Sequence, residues 1–251
     1  MALWRPGKEV VLFTNPIGRK LLDGLVAYWP LDEASGTRRD LSGNGLTLTD
    51  NNTVTGAAGP SSKLPLASQF TSANSESLSR LDTSLLRTAS TGLTLEIWVR
   101  ADTLPGAGSF VQIIGKSNQS TQREYEIQWN GDNSRFFFIM TEDGSTLKTA
   151  SFPLGNTTGI WYQLIAGWNP ATGRLFARQN GGATTLGSTL TTPYTSTITF
   201  SLGANSDLTG GFYNGRQAAA RKWDRALTDV ECAYLYNNGV GRLFTLGRGF
   251  V

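Results

Sequence analysis

Short apolar runs recur along the chain, and segments rich in glycine, asparagine, serine and threonine separate them. Segment 93–100 shows the clearest pattern, since every second residue is aliphatic. These residues are Leu93, Leu95, Ile97 and Val99. The intervening positions carry threonine, glutamate, tryptophan and arginine. Successive side chains of a strand point to opposite faces, so this alternation predicts a β-strand with one face in a core.

Similar runs predict most of the remaining structure as strands. The run Gly24–Leu31 leads into turn residues at 32–36, and Asp40–Gly45 has the composition of a tight, ordered loop. Further strands are predicted at Tyr125–Trp129, Arg135–Met140, Trp161–Trp168, Arg174–Asn180 and Thr197–Leu202.

One helix is predicted near the C-terminus. Thr228 and Glu231 have the spacing of a capping box, in which each side chain satisfies a backbone donor of the other residue. The helix should therefore cover about Asp229 to Asn237 and turn out near Gly239. Its Cys232, the single cysteine of the chain, is predicted to be a small buried hydrophobe.

Length and composition agree with a single large all-β domain. The chain has 251 residues, 29 glycines and only 16% charged residues, as expected for many strands joined by tight turns. The predicted fold is a two-sheet antiparallel β-sandwich with one short C-terminal helix. We expect an N-terminal arm or edge strand at 1–22, the sandwich at 23–241 and a tail at 242–251.

Four motifs in this order resemble a known family. They are GLVAYWPLDEASG at 24–36, DLSGNG at 40–45, LTLEIWVRA at 93–101 and WDRALTDVE at 223–231. Together they resemble the laminin-G-like members of the concanavalin A-like lectin/glucanase superfamily, over roughly 220 residues. The resemblance implies a jelly-roll sandwich of the type found in bacteriophage structural proteins.

Enzymatic activity is not expected. The chain has no histidine, which excludes Ser-His-Asp and Cys-His machinery. The resemblance implies that a glucanase would need paired carboxylates on one strand, and the nearest candidates are Glu124 and Glu126. The third acid expected from the superfamily is missing, since Gln128 occupies that position. We predict that both glutamates face solvent and that no catalytic residues exist; a degenerate glycoside hydrolase is the least favoured alternative.

The resemblance implies calcium as a candidate cofactor, although the predicted fold does not require one. Asp40 and Asn44 would supply hard oxygen ligands from one loop. The family often places an acidic pair where Ala218 and Ala219 stand here, so such a ligand set would be incomplete. The alternative is a metal-free Asx turn held by hydrogen bonds.

Two loops have the residue types that bind sugars, because aromatic faces stack on sugar rings and Asp or Asn side chains bond to hydroxyls. The candidate glycan-binding residues are Trp129, Asp132, Asn133, Asn205, Asp207 and Tyr213, with Phe212 and Asn214 nearby. Both loops also have the composition of hairpin turns, Asn130-Gly131 in particular.

The net charge of +3 resides in residues 1–22, so the body is neutral, which argues against a nucleic-acid partner. Apolar and basic residues in this arm are candidates for docking on an acidic protein surface. They are Trp4, Arg5, Lys8, Val10, Leu12 and Phe13. The alternative is that Lys8–Thr14 adds an edge strand to its own sandwich.

The N-terminal region lacks a signal-peptide pattern, since its apolar run covers only Val10–Phe13. No run is long enough to span a membrane, so no membrane partner is expected. A lectin-like domain made in the cytoplasm and displayed outside the cell predicts a virion surface protein, such as a bacteriophage capsid decoration or fibre protein. Its expected partners are capsid or tail proteins, further copies of itself and a host-surface glycan. A free carbohydrate-binding module is the main alternative.

Overall fold

The computed structural model describes residues 15–153 and 156–244, and these residues form fifteen strands and two α-helices. The helices are α1 (Pro16–Lys20) and α2 (Asp229–Tyr236). The strands are β1 (Leu25–Trp29), β2 (Thr49–Asn51), β3 (Thr55–Ala58), β4 (Leu66–Phe70), β5 (Ser77–Arg80), β6 (Leu93–Ala101), β7 (Phe110–Ser117), β8 (Arg123–Asn130), β9 (Arg135–Thr141), β10 (Leu147–Ser151), β11 (Tyr162–Asn169), β12 (Arg174–Gln179), β13 (Thr185–Thr189), β14 (Phe200–Leu202) and β15 (Gly215–Trp223).

Two antiparallel sheets pack face to face. Within the described residues, sheet A has the order β13-β12-β11-β6-β15-β4-β3, and β1 pairs with the second half of β15. Sheet B has the order β10-β9-β8-β7-β14-β5-β2. One large apolar cluster between the sheets contains Leu95 and Ile97 from sheet A, and Tyr125 and Ile127 from sheet B. The predicted all-β sandwich is therefore confirmed.

The predicted C-terminal helix is also confirmed. Helix α2 begins after Thr228, whose hydroxyl accepts from Glu231 N at 3.3 Å, while Thr228 N donates to Glu231 Oε2 at 2.8 Å. This is the reciprocal capping box that the sequence predicted. Cys232 is buried on this helix, as expected, and burial raises the pKa of its thiol to about 12.

Strand β6 differs from the prediction on one face. Its aliphatic residues enter the core as expected, but Thr94, Glu96 and Trp98 on the opposite face are buried too. Elements from the C-terminal part of the chain cover this outer face of sheet A. Trp98 stacks on Tyr236 with ring centroids 6.0 Å apart, and Leu227 N donates to Thr94 Oγ1 at 3.1 Å. The strand therefore lies between two apolar layers.

Parts of the predicted arm and tail pack against this outer layer. Leu21 is fully buried, and Trp223 Nε1 donates to its carbonyl oxygen at 2.7 Å. Phe244 is buried against the Tyr28 ring, with centroids 5.6 Å apart. Packing thus extends beyond the expected boundaries at residues 22 and 242. Residues 1–14, which contain all six docking candidates and the alternative edge strand, lie outside the described residues.

Strands β6 and β15 run antiparallel and define the two ends of the sandwich. Ala101 pairs with Gly215 at one end, whereas Thr94 pairs with Trp223 at the other. We call the end at Ala101 the cleft end, after the cleft described below, and the end at Thr94 the terminal end. The loops 102–109 and 203–214 lie at the cleft end; α1 and the start of α2 lie at the terminal end. The nine residues of β6 separate the two ends by about 26 Å at the usual rise per residue.

Candidate functional site

A cleft of about 240 Å³ opens among the loops of the cleft end. It is lined by Ser72, Thr103, Leu104, Pro105, Ser109, Phe110, Val111, Gly211, Phe212 and Asn214. The lining comes from three connections, namely β4–β5, β6–β7 and β14–β15, and from the first two residues of β7. These connections are distant in sequence, so the cleft is a product of the tertiary fold.

Backbone hydrogen bonds fix the two main loops of the cleft against each other. Asp102 N donates to Asn214 O at 3.0 Å, and Gln112 N donates to Gly211 O at 3.0 Å. The Asn214 side chain adds a bond from Nδ2 to Thr103 Oγ1 at 3.2 Å. The walls of the cleft are therefore held in place without a ligand, as in most small-molecule sites.

The cleft combines aromatic rings with uncharged polar groups. Phe110, the first residue of β7, is 41% exposed, and Phe212 is half-buried on the facing loop. The hydroxyl groups come from Ser72, Thr103 and Ser109, and the amide comes from Asn214. None of the described residues that line the cleft is charged. Such a surface suits an uncharged ligand with both apolar faces and hydroxyl groups.

The first predicted glycan loop supports the cleft from behind. Trp129 is only 3% exposed, and its Nε1 donates to Pro105 O at 2.9 Å. Its ring packs edge-on against Phe136, so it is not available as an exposed aromatic platform. The reason is the alternation of β8, which turns Trp129 inward together with Tyr125 and Ile127.

The turn between β8 and β9 carries the other two predicted residues of this loop. Asp132 and Asn133 are exposed, and Asp132 Oδ1 accepts from Gly108 N at 2.7 Å. A side chain at Gly131 would collide with the Gly106 carbonyl oxygen, at 1.9 Å from an added Cβ. The hairpin thus braces the β6–β7 loop through close backbone contact. This arrangement fits the alternative of a hairpin turn.

The second predicted glycan loop contributes its later residues to the cleft. Asn205 is buried and accepts from Thr209 N and Gly210 N at 2.9 and 3.1 Å, which shapes the loop. Asp207 is exposed and accepts from the Thr209 hydroxyl. Tyr213 is buried against Phe70, with ring centroids 6.2 Å apart, and burial raises the pKa of its phenol well above 10.

The residues that sequence reasoning missed are on the β6–β7 loop. Thr103 precedes the Pro- and Gly-containing stretch 104–108, and Ser109 and Phe110 follow it; this stretch marked a loop but gave no sign of what it contacts. An aromatic residue directly after a glycine-rich loop was the available signal. Its exposure depends on the neighbouring loop 203–214, which lies about a hundred residues later.

The Asp40 loop has the geometry of the hydrogen-bonded alternative. The Asp40 carboxylate accepts four hydrogen bonds, from Tyr28 N at 3.0 Å, Ser42 N at 2.8 Å, Ser42 Oγ at 2.8 Å and Leu46 N at 3.0 Å. A carboxylate has about four acceptor positions, so these donors use its capacity. Asn44 Nδ2 donates to Val26 O at 2.8 Å. Because these hydrogen bonds occupy the Asp40 carboxylate, the loop does not fit calcium.

The two alanines at the family's acidic positions lie in a β-bulge of β15. The register with β6 shifts between Ala218 and Arg221, and Ala219 has a φ of 51°. Both side chains pack with Trp98 in a small apolar cluster. Among residues 15–153 and 156–244, no group of three or more His, Cys, Asp and Glu side chains is arranged to hold a metal ion.

The prediction that Glu124 and Glu126 face solvent is wrong, because both are fully buried. Glu124 accepts from Thr88 N and Ser196 N at 2.5 and 3.0 Å and pairs with Lys116 Nζ at 3.0 Å. The register between β7 and β8 shifts beside Glu124, whereas Glu126 pairs regularly with Gly115 of β7. The two glutamates therefore have different neighbouring side chains. The carboxylates therefore do not line an open cleft, which the glycoside hydrolase alternative requires.

Glu126 is fully buried and lies beside the segment that follows β7, where Ser117 and Gln119 are its polar neighbours. Arg123 Nη1 lies 3.8 Å from Glu126 Oε1, and neither carboxylate oxygen has a donor in hydrogen-bonding geometry. Burial raises the pKa of Glu126 from 4.5 to about 7; Arg123 and the polar side chains of Ser117 and Gln119 offset this in part. Ser206 N donates to Ser117 O at 2.8 Å, which ties the loop 203–214 to the end of β7.

Comparison with known families agrees with this architecture. The profile described as the concanavalin A-like lectin/glucanases superfamily, in its laminin-G-like form, matches residues 72–233. This is well over half of the sequence. The chain therefore belongs to the laminin-G-like family of that superfamily, which confirms the resemblance in its four motifs. A search of curated protein sequences gave no match.

Several solved structures share the fold. The binding domain of Paraclostridial Mosquitocidal Protein 1 matches with a TM-score of 0.69 and 16% identity, over 86% of this chain and 52% of that chain. Domain 4 of AbnA, a GH43 extracellular arabinanase from Geobacillus stearothermophilus solved with arabinotriose, matches with a TM-score of 0.58 and 18% identity. The match covers 84% of this chain and 97% of that chain. A botulinum neurotoxin type C structure matches with a TM-score of 0.65 and 11% identity, over 87% of this chain and 52% of that chain.

The chain spans about half the length of the toxin structures that it matches and nearly all of the arabinanase domain. At these identities the similarity establishes a lectin-like β-sandwich fold. In the described part of the chain, no helix has the length and apolar character needed to cross a membrane.

Proposed function

We propose that this protein is a non-enzymatic carbohydrate-binding domain and that its cleft binds an uncharged sugar. The observation that carries the proposal is the exposed Phe110 ring beside hydroxyl and amide groups, in a cleft whose described lining bears no charge. Arabinotriose in the arabinanase domain is a neutral ligand of a protein with the same fold. Stacking on Phe110 and hydrogen bonds to Thr103 and Asn214 would orient the ring.

Replacing Phe110 with alanine should weaken this binding strongly. We expect at least a tenfold weaker Kd for the best ligand of a neutral oligosaccharide panel that includes arabinotriose, measured by isothermal titration calorimetry, since one aromatic contact contributes about 1 kcal/mol or more beyond its buried area. The thermal midpoint should barely change because the side chain is already 41% exposed.

Leu147 provides a matched control for this experiment. It is 47% exposed, but it pairs with Thr141 at the end of β9 that lies away from the cleft. Leu147→Ala should therefore leave sugar binding unchanged. Equal affinities of Phe110→Ala and wild type would place the sugar elsewhere, and an absence of binding to the whole panel would refute the proposal.

The proposed setting for this domain is the surface of a virion, as a bacteriophage decoration or fibre protein that docks through its terminal segments. The arrangement of the ends supports it. Leu21 and Phe244, the buried apolar side chains nearest to the two ends of the described chain, belong to one apolar cluster on the outer face of sheet A. Helix α1 adjoins the terminal end, because Arg225 Nη2 donates to Lys20 O at 2.6 Å. Docking there would leave the cleft exposed on the opposite side.

Sedimentation velocity of the full chain and of a chain lacking residues 1–14 tests this setting. The full chain should self-associate, whereas the shortened chain should be a monomer with the same thermal midpoint and the same sugar affinity. Removal of residues 1–22 should also lower the thermal midpoint, because the buried Leu21 is lost. A full chain that stays monomeric and binds sugar would favour a free carbohydrate-binding module.

A further inference from the structure

A second cavity, of about 220 Å³, lies at the terminal end between strands β12 and β13 and the start of α2. It is lined by Asn169, Thr172, Arg174, Phe176, Arg178, Thr184, Leu186, Ala226, Leu227, Thr228, Asp229 and Cys232. We call it the arginine cavity. The Leu93 end of β6 pairs with Trp168 next to Asn169, so β6 separates this cavity from the cleft.

Two arginines of β12 contribute positive charge to this cavity. Arg174, Phe176 and Arg178 occupy alternate positions of β12, so they share one face of the strand. Arg174 donates from Nε and Nη2 to Gly187 O at 3.1 and 2.7 Å. Among the described carboxylates, none forms an ion pair with Arg174. Its charge is therefore available to a ligand.

Arg178 adds a buried donor that has no acceptor. Its residue exposure is 7%, and its Nε is buried without a hydrogen-bond partner in the described structure. Nη1 pairs with Asp229 Oδ1 at 2.6 Å, and the same oxygen accepts from the Thr184 hydroxyl at 2.8 Å. The lining thus contains two guanidinium groups and one carboxylate, so it has an excess of positive charge. An unsatisfied buried donor is costly and is a recognised sign of a functional site.

The remaining lining matches a hydroxylated ring. Phe176, Leu227 and Cys232 are buried and provide an apolar base. Threonine hydroxyls and the Asn169 amide surround it, and both described bonds of Asp229 use Oδ1, so Oδ2 remains able to accept from a hydroxyl. A planar guanidinium matches the geometry of a carboxylate with two parallel hydrogen bonds.

We propose that the arginine cavity binds an acidic sugar residue, whose carboxylate pairs with Arg174 and whose ring lies on the base formed by Phe176. This site differs from the cleft in place and in ligand charge. The protein would therefore hold two classes of sugar, a neutral one at the cleft end and a carboxylated one at the terminal end.

Glucuronate and glucose are the matched probes, since they differ by the carboxylate. Binding to the full chain is measured by calorimetry or by chemical-shift titration. Wild type should bind glucuronate, and Arg174→Gln should weaken that binding at least tenfold, because a charge-assisted pair is lost. Arg174→Lys, which keeps the charge but loses the planar fork, should give an intermediate affinity. Phe110→Ala should leave glucuronate binding unchanged.

Arg39, which is half-exposed in a surface ion pair, is the control arginine. Arg39→Gln should not change glucuronate binding, and circular dichroism melting establishes that every variant is folded. The proposal is overturned if wild type does not bind glucuronate, if Arg174→Gln binds it as tightly as wild type, or if inorganic sulfate competes with equal affinity. Loss of binding in Phe110→Ala alone would assign the acidic sugar to the cleft and refute the second site.

Discussion

Replacing Arg221 with methionine should destabilise the protein by about 3–5 kcal/mol, the cost typical of breaking a buried ion pair from one side. Arg221 and Glu96 are both fully buried on the outer face of sheet A, with Arg221 Nη1 2.5 Å from Glu96 Oε2. Methionine would leave the Glu96 carboxylate buried with one donor left among the described residues, Gln163 Nε2 at 2.7 Å. The free energy of unfolding in urea measures the loss.

Arg221 also anchors the C-terminal segment. Its guanidinium carbon lies 4.4 Å from the centroid of the Tyr28 ring and 4.3 Å from that of Phe244, so it is held between two aromatic faces. Its Nη2 donates to the Arg242 carbonyl oxygen. We therefore expect the variant to lose the packing of Phe244 as well, and hydrogen exchange at residues 242–244 should become faster.

Two further variants separate charge burial from general damage. Glu96→Leu combined with Arg221→Met should recover most of the stability, because no unpaired charge remains in the apolar layer. Arg39→Met, which removes an arginine that is 52% exposed in its pair with Asp32, should cost about 1 kcal/mol or less. A loss of similar size for Arg39→Met and Arg221→Met would contradict this account.

The local features of the fold could be predicted from the sequence because they depend on nearby residues. The alternation at 93–99 identified the inward face of β6, and the spacing of Thr228 and Glu231 identified the start of α2. Strand periodicity and capping chemistry act over two to four residues, so a single sequence contains the whole signal.

The outer layer could not be predicted in the same way, because its partners are far apart in sequence. Glu96 alternates with aliphatic residues and has the pattern of a solvated position, yet Arg221 pairs with it from 125 residues further along the chain. The same holds for Glu126, which is fully buried although its place in the alternation of β8 has the pattern of a solvated position. A polar residue on a strand reveals its face, but the residues that cover that face come from elsewhere.

The cleft shows the same limit for the candidate site. Sequence reasoning selected the loops that contain Trp129 and Tyr213, yet both of these rings turn inward to support the walls. The exposed ring belongs to Phe110, at the edge between a loop and a strand. Residue type indicates the chemistry that a site could use, whereas exposure is decided by the packing of the loops.

Replacing Glu126 with glutamine should stabilise the protein above pH 7 by up to about 3 kcal/mol. Burial raises the pKa of this carboxyl group from 4.5 to about 7, and each pKa unit corresponds to about 1.4 kcal/mol. The folded protein therefore favours the protonated form. Glutamine is close to that form in shape and is neutral at every pH, so the cost of a buried charge beside Gln119 and Ser117 is removed.

The pH dependence identifies the cause of this gain. Between pH 4.5 and about 7, the folded wild type binds more protons at Glu126 than the unfolded chain does, so this group lowers the free energy of unfolding as the pH rises. Wild type and Glu126→Gln should therefore be similar at pH 4.5 and diverge until about pH 7, after which the difference is constant. Urea unfolding at several pH values measures the divergence.

Glu142→Gln is the control, because Glu142 is exposed and the hydrogen bond from Thr191 N lowers its pKa. This variant should therefore not be more stable than wild type at any of these pH values. A difference between wild type and Glu126→Gln that is the same at pH 4.5 and pH 8 would show that Glu126 is not the buried titrating group.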